Sequence, residues 1–435
     1  MIFRRFFYAS FANKKISFFS MSNQEKKIAV IGGGAAGFFA AVTCAGIYPE
    51  SRVTIYERSN KLLAKVRVSG GGRCNVTHAC FTIQDMVKNY PRGEKHLINA
   101  FARFSVVDTI RWFEARGVML KTEEDGRMFP VTNNSATIVN CLLNEAEKLS
   151  VRVVMNAELV RLSKNIEEKF ELRFKEGGDV IADKVIVAAG GHPKSEHVSW
   201  LIETGHELVS PVPSLFTFNM PDDPVRELMG VSVAAAGLQI EGSKQVITGP
   251  LLITHWGMSG PVVLKTSAVA ARDLASRKYH FNLIVNWMVD QNQDVLQKKL
   301  ISFKAKFGSK EIHYSSPFDL PKRLWKFLLN KIGIQETTRW ADLSKEFIRK
   351  LSDILTQDRY EVRGKTTFKE EFVTSGGVNL NDVDFRTMES RKCKGIYFAG
   401  EILDVDGLTG GFNFQAAWTT GHIAGNSIEK KTLHD

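Results

Sequence analysis

At 435 residues the chain is too long for one simple core and calls for two or three domains. Its 44% apolar and 24% charged residues exclude a fibrous or disordered chain, and no run approaches the ~18 apolar residues that cross a bilayer. A net charge of +11 suits a polyanion such as RNA or a solvated basic surface, and five scattered cysteines without C-x-x-C spacing point to a reduced cytoplasm and no structural zinc.

The first 20 residues, MIFRRFFYASFANKKISFFS, are basic, aromatic and free of acids. Lys14 and Lys15 interrupt any secretory apolar core. The segment reads as a disordered extension over 1–22 ahead of a second start at Met21, or as an organellar transit peptide.

Lys27 to Arg58 then predicts a strand–helix–strand unit. Ile28–Ile31 is a short apolar run, Gly32, Gly34 and Gly37 fall in G-x-G-x-x-G spacing, a small-residue helix runs from Ala35 to Gly46, and a second strand, Arg52–Tyr56, ends at Glu57. The first glycine permits the tight turn, the second admits a pyrophosphate, and the third lets helix and strand pack closely. Free N–H groups at the helix start favour phosphate, and a carboxylate 20 residues after Gly37 is placed for a ribose. The plain alternative is a glycine-rich turn in an ordinary βαβ unit. Next, Ser69-Gly70-Gly71-Gly72-Arg73-Cys74-Asn75 predicts a loop whose amides can face an anion, with Arg67 and Arg73 flanking it with positive charge; Arg58, next to Glu57, is a further cofactor-binding candidate.

GGGAAG (Gly32 to Gly37, including Ala35 and Ala36), the acid Glu57 and SGGGRCN together resemble the HI0933-like flavoproteins, FAD-dependent oxidoreductases that include the bile-acid reductases. The resemblance runs from about Lys27 to the C-terminus. It implies FAD as the tightly held dinucleotide, in an α/β, Rossmann-like FAD-binding domain of the two-dinucleotide-binding flavoprotein type. An inserted β-barrel and a helical insertion interrupt that domain. The implied segments are 23–199 for the first part of the FAD domain, 200–289 for the barrel, 290–355 for the helices, 356–365 for a return through the barrel and 366–435 for the second part.

Residues 81–148 read mainly as helices, at Asp85–Asn89, Glu94–Phe104, Val106–Arg116 and Ser135–Leu149. Between them Gly126–Pro130 reads as irregular; GRMFP matches a family motif that lines the flavin pocket or packs a loop. Residues 151–187 alternate in short strands, which the resemblance makes a β-meander and the strand closing the cofactor site. Leu159 would meet the adenine, and Ala189, Gly190 and Gly191 would let the chain pass close to the cofactor. The following HPKSEHVSW departs from the family's Gly-Ser/Asp-rich run.

From about Trp200 turn residues and β-branched runs predict an antiparallel barrel. Thr254–Pro261, THWGMSGP, matches a family motif, running into a helix over Val262–Ala271; His255 is either a proton-handling group or a structural histidine. Residues 290–355 form amphipathic helices with a basic outer face. Ser375–Val378 matches a family turn. A final strand ends at Gly400 and Glu401, where the resemblance places a ribityl contact. Gly411, Phe412, Asn413 and Gln415 open the last helix, with its N-terminal amides toward the flavin's pyrimidine carbonyl.

These readings imply reduction of an electron-poor C=C bond, with NAD(P)H as a transient reductant because no second G-x-G-x-x-G unit is present. Candidate proton donors are Cys74, His255 and water. The resemblance leaves ribosomal RNA (uridine to dihydrouridine) and a small conjugated enone as substrates, the basic helices leaning toward RNA. An oxidase using dioxygen and a flavin-binding protein without turnover are the remaining readings.

Overall fold

The computed structural model describes residues 25–192, 195–366 and 373–429; the leader over 1–22 lies outside them. Strand β1 (Lys27–Ile31) has four of five residues buried, as an apolar run at the centre of a parallel sheet requires. It lies between β2 (Arg52–Tyr56) and β4 (Lys184–Val187), with β3 (Arg152–Val154) outside β2 and β5 (Ile396–Phe398) outside β4, all parallel. Two short antiparallel strands, 383–384 and 389–390, finish the edge beyond β5. Helix α1 (Ala35–Ile47) crosses α2 (Phe412–Asn426) closely, since a Cβ on Gly421 or Gly425 would lie 2.7 or 2.4 Å from the carbonyl oxygen of Ala36 or Ala40. The two ends of the chain are thereby fused into one layer against the sheet.

The helices expected between 81 and 148 form at Ile83–Val87, Glu94–Phe101, Val106–Glu114 and Ser135–Lys148, three of them capped by the side chains of Thr82, Ser105 and Asn134. Arg127–Pro130 is not irregular. It is the central strand of a small sheet, pairing with Thr77–His78 and with Leu120–Thr122, because Met128 and Phe129 bury their side chains there. The meander forms over 159–164, 170–174 and 179–182.

The middle of the chain builds a second hydrophobic core, from Phe216 to Val362. Its sheet is antiparallel, in the order 358–363, 280–286, 232–240, 246–254, 257–259, 217–219, 365–366. One stretch of chain, 358–366, supplies both edges of that sheet and bends between them at Gly364, where φ is +103°. Helices Gln293–Phe307, Lys322–Lys331 and Lys345–Gln357 bury Leu296, Trp325 and Leu351 in this same core. Trp200 and Leu201, read from sequence as the start of the insertion, pack in the first core instead.

Two passes of chain connect the units, 208–214 and 373–378, and they pair antiparallel. Ser375–Val378 is therefore a strand, not the turn its glycines suggested. Gly376 and Gly377 have φ of +122° and +135°, and a Cβ on Gly377 would lie 2.3 Å from the Ile402 carbonyl oxygen. Charge pairs tie the insertion down beside this ribbon. The Arg92 guanidinium donates to Asp406 Oδ1 at 2.5 Å and to the Ala268 carbonyl at 2.6 Å, and Ser214 Oγ donates to Asp406 Oδ2 at 2.7 Å. Arg272 meets Asp404 at 2.5 Å. Among the described residues no helix is long and apolar enough to cross a membrane.

Candidate functional site

The loop between β1 and α1 shows why each glycine stands where it does. Gly32 has φ +112°, and a Cβ there would lie 2.3 Å from the Ala188 carbonyl oxygen; a Cβ on Gly37 would lie 1.9 Å from that of Gly32. Gly34, by contrast, has φ −92° and nothing within 4 Å of where its Cβ would be. Two glycines are needed by the fold, and the third guards open space at the start of α1, beside Ala35 and Ala36. Glu57 is aimed at this turn: its Oε2 accepts from Gly33 N at 2.7 Å, and its Oε1 from Ser59 N and Oγ at 2.8 and 2.7 Å. A cavity of about 50 Å³ lies beside it, bordered by Gly32, Glu57, Arg58, Leu159, Ala189 and His192.

A larger cavity of about 290 Å³ opens at the other end of the groove. Four distant segments line it: Lys65, Ser69, Gly70 and Asn75 from the first, Arg127 from the second, Thr217 and Leu264 from the insertion, Glu401, Gly411 and Asn413 from the last. Glu401 is held by Lys65 Nζ at 2.5 Å and by Thr374 N, which donates to Oε1 at 2.9 Å. A Cβ on Gly191 would meet Glu401 Oε1 at 2.5 Å and push that side chain from its place, and at Gly400, with φ +75°, a Cβ would lie 2.7 Å from that of Ala36.

In SGGGRCN the helix begun at Ala64 breaks at Ser69, and Gly70, Gly71 and Gly72 turn left-handed with φ of 59°, 68° and 82°. Gly71 and Gly72 face open space. Asn75 ties this loop to the last helix: with its amide oriented to satisfy both neighbours, it donates to the Thr77 carbonyl and accepts from Gly411 N, each at 3.0 Å. Arg73 stays on the loop, its Nε donating to the Gly70 carbonyl at 3.4 Å, but its charge is taken up elsewhere. Arg73 is bound to Glu123 at 2.5 Å and lies over the Phe129 ring, while Arg67 is exposed, its Nε donating to the Leu62 carbonyl. Arg58 sits on the far side beside His192.

At the start of α2, Asn413 bonds Gly407 through both amide atoms at 2.8 and 2.9 Å, and Phe412 stacks on His78 at 4.7 Å. The first-turn amides of α2, which lack partners within the helix, start at the cavity that Gly411 and Asn413 line. Gln415 faces the other way. Fully buried, it accepts from Thr77 Oγ1 at 2.6 Å and donates to Thr109 and Thr419 Oγ1 at 2.9 and 3.0 Å, so it braces the helix from the core.

Neither protein proton-donor candidate lines the large cavity. Cys74 is fully buried at φ 61°, and burial pushes its thiol up to about 12. His255 is exposed at the turn after Thr254, edge-on to Trp256 at 4.4 Å; from its motif it is Ser259 that reaches the cavity. Lys65, Thr217, Leu264 and Thr374 carried no motif signal, because each is brought in by the packing of segments far apart in sequence.

The groove fits an extended dinucleotide: an acid at one end, an open glycine cradle, a second acid and a wide cavity facing a helix N-terminus. Comparison with known proteins agrees. The sequence model of the HI0933-like protein Rossmann domain matches residues 26–427. The 3-dehydro-bile acid delta(4,6)-reductase of Clostridium scindens is 27% identical over 418 residues, 93% of this chain and 99% of that protein. Two ribosomal RNA dihydrouridine synthases are similarly related: that of Haemophilus influenzae, 28% identical over 424 residues (94% and 100%), and that of Escherichia coli, 29% over 405 (90% and 95%). Among solved structures, the 3-ketosteroid-delta4-(5alpha)-dehydrogenase of Rhodococcus jostii in complex with 4-androstene-3,17-dione shares the fold, with a TM-score of 0.50 at 13% identity over 95% of this chain and 99% of that one.

Proposed function

Because the chain belongs to the HI0933-like family and is an FAD-dependent oxidoreductase, we propose that it reduces the C=C bond of a uridine in ribosomal RNA, in the cytoplasm, with electrons from NAD(P)H. The observation that favours RNA is the face of the helical insertion. Residues 290–355 hold 13 Lys and Arg against 8 Asp and Glu. Lys298, Lys299, Lys306 and Lys310 are exposed, and none is in an ion pair among the described residues, so they are free to meet phosphates. Phe307 lies beside Lys306 and Lys310, at 5.3 and 4.8 Å from ring centre to ammonium, a mixture of charge and ring surface that RNA uses.

Bound FAD supplies the hydride chemistry. The protein's residues do the rest. Gly34 would leave room for the pyrophosphate at the start of α1, and Glu57 would offer carboxylate oxygens to the adenosine ribose. Glu401, fixed by Lys65 and Thr374, offers the same to the ribityl chain. The N-terminus of α2 would set its positive dipole end against a flavin ring held in the cavity and favour its reduced, anionic form. Lys65 and Arg127 also stand on the cavity wall, Lys65 paired with Glu401 and Arg127 with Asp125 and Glu123. Saturating a C=C bond also needs a proton; with Cys74 sealed and His255 remote, water entering the open cavity is the donor.

A small conjugated enone is the second reading. It is favoured by the apolar part of the cavity wall, Leu215, Leu264, Leu408 and Phe414, which suits a flat apolar ring. The two are separated by incubating the FAD-loaded protein and NADPH with ribosomal RNA lacking dihydrouridine, then digesting it and weighing the nucleosides. Dihydrouridine at one position, lost when Lys298, Lys299, Lys306 and Lys310 are changed to Glu, is the expected result. Turnover of a steroid enone with no change in RNA would favour the second reading.

A further inference from the structure

His192 stands where the sequence leaves the family pattern, immediately after Gly190–Gly191, and nothing above gives its side chain a role. It is 6% exposed and borders two cavities at once: the one beside Glu57 and Arg58, and a small one of about 20 Å³ reaching Thr374 and Glu401. It therefore lies along the middle of the groove, between the two acids. We propose that His192 is a cofactor-binding residue whose Nε2–H donates to an oxygen on the ribose–pyrophosphate stretch of FAD, an inference that rests on the FAD reading of the groove.

The direction of that bond follows from the neighbours. Nδ1 faces Arg58 Nη1 at 3.5 Å. A guanidinium has no acceptor, so Nδ1 must carry the lone pair. Burial, with Arg58, His197 and Lys65 nearby, lowers the imidazole's pKa to about 4, so the ring is neutral near pH 7. Its one proton then sits on Nε2, and Nε2 has no partner among the described residues. A buried N–H without an acceptor is rare and costly. Neither carboxylate on the same cavities, Glu57 nor Glu401, accepts from Nε2. A donor held in the groove, with its tautomer set by an arginine, is what an anionic or hydroxyl-bearing ligand oxygen requires.

The test uses two variants of the full chain, stripped of flavin and reconstituted. His192→Phe keeps a ring of similar size without the donor; His192→Gln keeps an N–H at about the same reach. FAD affinity is read by quenching of flavin fluorescence, and ADP is used as a competing ligand that shares only the adenosine half. The Phe variant should bind FAD about tenfold more weakly, ADP should weaken by the same factor, and the Gln variant should stay within about threefold of the parent. The apoprotein of the Phe variant should melt no lower than the parent, since it loses an unsatisfied group. Unchanged FAD affinity in the Phe variant overturns the proposal, as does an equal loss in both variants accompanied by lower melting temperatures. A parent protein that binds no FAD would instead refute the reading of the groove itself.

Discussion

At the end of the groove proposed for adenosine, Gly32, Gly34 and Gly37 and one acid do the work, and all lie inside a single βαβ unit of 31 residues, Lys27 to Glu57. At the end proposed for the flavin ring, the cavity wall comes from residues 65–75, 127, 215–264 and 373–414, brought together only when the last helix packs on the first and the insertion folds over both. The first end is fixed by local backbone geometry, where a single Cβ is a collision. The second is fixed by long-range contacts, chiefly the Glu401–Lys65 pair, the Asn75–Gly411 bridge and the Arg92–Asp406–Ser214 cluster. A local device either works or fails outright, whereas a long-range one can be weakened by degrees.

The largest effect should come from separating the two kinds of glycine in the first end. Gly37→Val puts a side chain into the Gly32 carbonyl and should abolish soluble folded protein. Gly34→Val should fold, with a circular dichroism spectrum and melting temperature close to the parent, yet purify colourless, since it fills the open space proposed for the pyrophosphate. Retained yellow colour in that variant would break the comparison at its firmest point.

Next comes the long-range clamp. Asp406 is fully buried, and Asp406→Ala strands the Arg92 charge. It should lower stability by about 3–5 kcal/mol in urea unfolding. Arg92→Met with Asp406→Asn, which removes both charges, should lose less than Asp406→Ala alone; equal losses would mean the pair adds no coupling between core and insertion. Glu57→Gln should be gentler still, weakening FAD by about 1–3 kcal/mol in calorimetry without altering the fold. An unaltered affinity would move the ribose contact to another group.

The smallest effect is one of pH. Burial raises the thiols of Cys44 and Cys74 from 9.0 to about 12. The unfolded chain then releases these protons first as pH rises, so their contribution is whole below pH 9 and is lost progressively between about 9 and 12. Stability should fall over that window, and Cys74→Ala should flatten the fall. Turnover should be indifferent to Cys74→Ala, consistent with a thiol that reaches no cavity; a collapse in turnover with intact FAD binding would restore it as a proton donor.

The same contrast explains how much was legible in the sequence. The βαβ unit, SGGGRCN, the meander and the Gly400–Gly411 segment are local patterns, and each forms where its spacing places it. Arg127–Pro130 was misread because a four-residue strand has too little periodicity to show, and Ser375–Val378 because glycines that usually mark turns here permit two backbones to touch. Gln415 lies in a cofactor-facing motif, yet the helical turn rotates its side chain into the core. Lys65 and Thr217 had no signal at all, and His192 only that of a departure from the family pattern, because their neighbours are assembled across 100 residues or more of chain.

The most direct test of the whole account is anaerobic. The FAD-loaded protein is reduced, mixed with an acceptor in a stopped-flow instrument, and followed at the flavin absorbance band. The account predicts that ribosomal RNA restores the oxidised spectrum much faster than buffer does, with a rate that falls steeply as salt is raised. Reduced protein that neither ribosomal RNA nor a conjugated enone reoxidises would contradict it.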